Sequence, residues 1–114
     1  MTPISDLGDL SPQRVAELDR GGEVQLVDVR EPYEHEAGRI AGARHIELVD
    51  LTSQAESLVG RPIVFYCRTG ARSGMAAQAF ASAGFEAYNL DGGLEAWVGA
   101  GLPIEPEGGR VAEH

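Results

Sequence analysis

The sequence predicts an α/β domain, with a mostly parallel sheet flanked by helices on both faces. Three observations predict it. Segments of strand character alternate with segments of helical character along the chain, the order from which parallel sheets with crossover helices are built. The main strand segments, "VQLVDV" and "PIVFYC", are nearly unbroken apolar runs, as in sheets covered on both sides. The chain has 114 residues, enough for one domain that buries roughly two-thirds of its unfolded surface.

The elements follow in order. "LSPQRVAELDRGG" (10–22) reads as a helix: Ser11 caps it, Pro12 takes the first helical position and Gly21-Gly22 stop it. Val15 and Leu18 share one face. "VQLVDV" (24–29) is a strand. "REPYEHEAGRIAGA" (30–43) is polar and punctuated by Pro32, Gly38 and Gly42, giving a short helix around 31–36 and then a loop. A brief strand falls near "ARHI" (43–46). Residues 50–58 suit a helix, with Leu51 and Leu58 on it. "PIVFYC" (62–67) is the best strand in the chain. A helix spans 73–83 and ends at Gly84, with Met75, Phe80 and its alanines read as core. "EAYNL" (86–90) is a strand, "DGG" a turn, and "LEAWVGAG" (94–101) a last helix, with Trp97 a core or interface aromatic. These elements make residues 1–104 one domain. The tail "EPEGGRVAEH" (105–114) has no core-forming pattern and is expected to be mobile.

Composition narrows the function. The formal net charge is −9, and all nine basic residues are arginine. That balance argues against nucleic acid and anionic membrane as partners. The first ten residues have neither the basic region nor the apolar core of a signal peptide, and no stretch has the length of a membrane span. A cytoplasmic location is the expectation, and a free thiol suits a reducing compartment. One cysteine excludes an internal disulfide and zinc sites built on paired cysteines. His35, His45 and His114 form no ligand motif, so no metal is expected; His35 and His45 read as surface or satisfied polar groups.

That cysteine, Cys67, ends the best strand and precedes a helix. In parallel sheets, ligands bind at the carboxyl ends of the strands. The first N–H groups of a helix are unpaired and carry the positive end of its dipole. Arg68 and Arg72 add full charges, Gly70 lets the backbone curl at positive φ, and Ser73 can cap the helix and donate to an anion. Each feature favours the thiolate. A buried cysteine is ordinarily inert packing, but so many thiolate-favouring groups converging on one position outweigh that reading.

The segment "CRTGARS" (67–73) resembles the active-site loop of single-domain rhodanese-type sulfurtransferases. "VDVREPYEHEAGRIAGARHI" (27–46) resembles the family's first signature and "NLDGGLEAW" (89–97) its C-terminal one. The resemblance implies a five-stranded rhodanese-like sheet and a persulfide mechanism without a cofactor. Cys67 takes the outer sulfur of a donor such as thiosulfate and passes it to cyanide or a thiol, or to a sulfur-relay protein. Arg68, Thr69, Gly70, Ala71, Arg72 and Ser73 would form the substrate-binding loop, with the two arginines holding the sulfonate. Asp28, Arg30 and Glu34 are read as a polar network supporting the site, and Gly92 and Gly93 as packing beside the loop. Arg39 stands where the family usually has histidine, at a position that is generally structural.

Three rival readings stand beside this one. Related dual-specificity phosphatases place an arginine six residues after the cysteine, where this chain has Ser73. An arsenate-reducing thiolate is a second. The third is a persulfide carrier or regulatory module with little turnover.

Overall fold

The computed structural model describes residues 8–114. The opening of the proposed domain, with most of the segment read for a signal peptide, lies outside the described residues. The elements are β1 (Asp9–Leu10), α1 (Pro12–Arg20), β2 (Gln25–Asp28), α2 (Pro32–Ala37), β3 (Arg44–His45), two 3₁₀ turns (Leu48–Asp50 and Thr52–Leu58), β4 (Ile63–Tyr66), α3 (Ala71–Ser82), β5 (Ala87–Leu90) and α4 (Gly93–Gly99). They build a five-stranded sheet in the order β1-β5-β4-β2-β3, and every strand pair is parallel. β4 is the central strand.

The apolar runs arise because both faces are covered. Leu26, Val64, Tyr66, Tyr88 and Leu90 point to one side, where Val15 and Leu18 of α1 and Leu94 and Trp97 of α4 pack on them. Val27, Ile63, Phe65 and Ala87 alternate to the other, against Leu58 and against Ala76, Ala77 and Phe80 of α3. Trp97 donates its indole N–H to Pro103 O at 2.8 Å, so its polar edge is satisfied inside the core. Ser11 caps α1 as read, accepting from Arg14 N at 3.1 Å.

Three expectations need correction, and one strand went unread. Residues 50–58 are 3₁₀ turns, not an α-helix, although Leu51 and Leu58 are buried. Ser53 and Ser57 donate to the carbonyls of Asp50 and Gln54, three residues back, in competition with helical N–H donors. β1 has only two residues, too few for a sequence pattern, and it pairs along the edge of β5. Met75 is 60% exposed, and Ala79, Ala81 and Ala83, also read as core, are exposed with it, because α3 turns only Ala76, Ala77 and Phe80 to the sheet.

The last correction concerns residues 105–114, read as mobile. Arg39 and Glu105 exchange backbone hydrogen bonds at 2.8 Å each, and Arg110 N donates to Ala37 O at 2.8 Å. Ala112 is buried, and Val111 packs against the first core. The contact is mostly backbone to backbone, made possible where Gly38 has no Cβ to meet Arg110 O.

Candidate active site

Cys67 directly follows β4 and is only 1% exposed. The chain turns at Gly70, whose φ of +102 favours glycine, and α3 begins with the next residue. This turn folds the loop around the sulfur. Gly70 N–H donates to Cys67 Sγ at 3.1 Å, and Ser73 Oγ lies 3.3 Å from it. Backbone N–H groups of Thr69 and Ser73 also act on Sγ.

The loop carbonyls face elsewhere. Cys67 O accepts from Leu94 N at 2.9 Å and Arg68 O from Glu95 N at 3.1 Å. The free N–H groups at the start of α4 thus take up the carbonyls of the loop, while the loop's own N–H groups point inward. Gly93 makes the fit possible, since a Cβ there would come within 2.5 Å of Arg68 O. Gly92 lies less tightly against the loop, its N 3.4 Å from a Cβ built on Gly70.

The sulfur's acidity follows from this cradle. Burial pushes the Cys67 thiol up, but the Ser73 hydroxyl and the N–H groups of Ser73, Gly70 and Thr69 outweigh it, so the net shift is downward. The arginines contribute differently from the expectation of two free charges. Arg72 donates to both carboxylate oxygens of Glu34, at 3.0 Å each, and Arg68 Nη1 donates to Glu95 Oε2 at 2.8 Å. Both guanidiniums already hold a carboxylate. Thr69 and Ala71 are exposed at the rim.

Ser73 is not the helix cap. It lies inside α3, whose cap position is Gly70, and is fully buried. Its hydroxyl lies 2.6 Å from Asn89 Oδ1. Asn89 Nδ2 donates to Gly70 O at 3.2 Å and to Asp9 Oδ1 at 3.0 Å. Sequence reasoning missed Asn89 and Glu95 as site residues. An asparagine inside the buried strand "EAYNL" was the available signal, since asparagine is disfavoured in strands and a buried amide needs partners.

Asp28, Arg30 and Glu34 are all fully buried. Arg30 Nε and Nη2 grip Asp28 at 2.9 and 2.7 Å, and Nη2 also donates to Gly38 O at 2.7 Å. Nη1 has no hydrogen-bond partner among the described residues; the guanidinium sits 5.6 Å from the centre of the Tyr66 ring. Burial pushes the Asp28 carboxyl up, but the bonds and charge of Arg30 and the bond from His35 bring it below its ordinary range. Glu34 shifts the same way: burial raises it, and Arg72 and the Glu31 N–H lower it further. Glu34 also accepts from Glu31 N–H at 3.1 Å, tying the start of α2 to α3. His35 Nδ1 meets Asp28 Oδ2 at 2.8 Å and His45 Nε2 meets Arg30 O at 2.7 Å, so both histidines are satisfied polar groups.

A family model for the rhodanese-like domain matches residues 11–100. This chain belongs to the rhodanese-like domain family. It is 38% identical to the thiosulfate sulfurtransferase GlpE of Ectopseudomonas mendocina over 98 residues, covering 82% of this chain and 87% of that protein. It is 46% identical over 77 residues to YqhL of Bacillus subtilis, an uncharacterized protein, covering 66% of this chain and 61% of the relative. The chain thus spans less than two-thirds of the length of that relative. The solved rhodanese-like domain of an Anabaena protein superposes with a TM-score of 0.79 at 27% identity, covering 96% of this chain and 88% of the other.

The three segments that carried the resemblance meet in space at the carboxyl ends of β2, β4 and β5. In this rhodanese-like domain Arg39 donates to His35 O at 3.2 Å and bridges Glu105 through the backbone. Its place is in the packing of the C-terminal residues. No helix among the described residues is long and apolar enough to cross a membrane.

Proposed function

We propose that this rhodanese-like domain is a sulfurtransferase that carries sulfane sulfur as a persulfide on Cys67. The observation that carries the reading is the cradle: Sγ lies 3.1 Å from Gly70 N and 3.3 Å from Ser73 Oγ, with the loop carbonyls bonded to α4. Donors fixed around a sulfur before reaction cost no reorganisation when charge arrives there. They stabilise the thiolate first and the anionic terminal sulfur of the persulfide afterwards.

The steps balance without a cofactor. The Cys67 thiolate attacks the outer sulfur of thiosulfate. A new S–S bond forms on Cys67, the donor's S–S bond breaks, and its electron pair leaves with sulfite. An acceptor nucleophile, cyanide or a thiolate, then attacks the terminal sulfur and Cys67 leaves as thiolate. No histidine base is needed, because the nucleophile is already deprotonated. Cys67 at 1% exposure suits delivery of a single terminal atom, and the Ser73 hydroxyl occupies the place of the phosphatase arginine. Asp28, Arg30 and Glu34 hold the frame, and Gly92 and Gly93 seat the loop. A cytoplasmic setting, with a small sulfur donor or a sulfur-relay protein as partner, belongs to the same proposal.

The test is turnover. Incubation with thiosulfate and cyanide should yield thiocyanate and sulfite, and Cys67→Ser should abolish both while leaving the circular dichroism spectrum intact. Thiocyanate formed by the serine variant at the parent rate overturns the assignment of Cys67.

A further inference from the structure

Among the described residues, the rim of the cradle carries two guanidiniums, each paired with a carboxylate. Glu34 takes Arg72 through both oxygens, and Glu95 takes Arg68 at 2.8 Å. Thr69 and Ala71 between them are uncharged. The phenol of Tyr33 on α2 lies within electrostatic reach of Glu34, Glu31, Arg72 and Arg68. Around them the chain carries a formal charge of −9. Once Cys67 ionises, the site as a whole is negative.

The two carboxylates are placed differently. Glu34 is fully buried and belongs to the frame that joins α2 to α3. The Glu95 side chain is 49% exposed and that of Arg68 33%. Glu95 already holds the loop through its backbone N–H, bonded to Arg68 O at 3.1 Å. That bond does not need the carboxylate. A half-exposed ion pair contributes little to stability, so the carboxylate's effect is on the charge met by an incoming molecule.

Building on the sulfurtransferase reading for its substrate class, we infer that Glu95 determines donor specificity. By neutralising Arg68 it sets the cradle against dianionic donors such as thiosulfate. It favours a persulfide or polysulfide whose reacting end bears at most one negative charge. Turnover of thiosulfate then remains possible but weak, because the sulfonate must compete with Glu95 for Arg68.

The test does not depend on sulfur transfer. Cys67 is alkylated with iodoacetamide, which is neutral, and with iodoacetate, which is anionic, in the parent, in Glu95→Gln and in Glu95→Gln combined with Arg68→Gln. The ratio of the two rates at one pH cancels the thiolate fraction and reports the local charge. In Glu95→Gln the iodoacetate-to-iodoacetamide ratio should rise about three- to ten-fold, the size of one unpaired charge near the mouth, and the rise should shrink in high salt. The double variant should return towards the parent ratio. The KM for thiosulfate should fall in Glu95→Gln by a similar factor. An unchanged ratio in Glu95→Gln overturns the inference. A raised ratio in proteins that make no thiocyanate from either thiosulfate or a small-molecule persulfide upholds the charge selection by Glu95 and removes the sulfurtransferase reading instead.

Discussion

Ser73 has one hydroxyl proton and two acceptors, Asn89 Oδ1 at 2.6 Å and Cys67 Sγ at 3.3 Å. The shorter bond holds the proton while Cys67 is a thiol, and an ionised sulfur competes for it, because bonds to charged acceptors are stronger. The alkylation rate of Cys67 should therefore titrate below the ~8.5 of a free cysteine. In Ser73→Ala the midpoint should move up by about one unit, since a net hydrogen bond to a charged group is worth about 1.5 kcal/mol and one unit about 1.4. A midpoint unmoved in Ser73→Ala would mean that backbone N–H groups alone set the acidity. Arg72 carries a different expectation. Its removal leaves the buried Glu34 carboxylate without its counter-charge, which costs about 3 kcal/mol. Urea unfolding of Arg72→Ala should report that loss, and adding Glu34→Gln should recover most of it. Full stability in the single variant would show that the pair does not hold the frame.

At the scale of elements, the loop keeps its shape because α4 docks on its carbonyls. Gly93 at φ +63 has no room for a Cβ beside Arg68 O, whereas Gly99 at the other end of the same helix has nothing within 4 Å of one. Gly93→Ala should destabilise the domain by 2 kcal/mol or more, roughly the scale of a strained backbone position plus a clash. It should slow Cys67 alkylation as well. Gly99→Ala should be neutral or stabilising by about 0.5 kcal/mol. Thermal melts of the two variants check the contrast, and equal effects would remove the docking argument. The sequence announced this arrangement unevenly. Cys67, Gly70 and the glycine pair stood out because each marks a turn or a strand end. The partners of the arginines did not, because Glu34 and Glu95 arrive from other helices and nothing local pairs them. Asn89 was visible as a polar residue in a buried strand, but which groups it would join depends on where β5 lies. The 3₁₀ turns at 48–58 and the packed C-terminal residues were hidden for a related reason: serine back-bonds and backbone bridges leave little apolar pattern.

At the scale of the whole molecule, the acidic chain keeps two carboxylates ionised inside it. Asp28 and Glu34 both sit below their ordinary range when folded. Their contribution is therefore complete above the unfolded value of about 4. It is lost as pH falls through the folded values. Unfolding free energy should decline steeply on that acid limb. Asp28→Asn should flatten the limb while lowering stability at neutral pH, because Arg30 then lacks its counter-charge; an acid limb as steep as the parent's would place the sensitivity elsewhere. The proposed chemistry centres on one sulfur atom, Cys67 Sγ. Intact-protein mass spectrometry after incubation with thiosulfate, followed by cyanide, addresses it most directly. The expected result is a gain of one sulfur, located on Cys67 by peptide mapping, and its loss with cyanide. A folded protein that gains no sulfur from thiosulfate or from a small-molecule persulfide would contradict it.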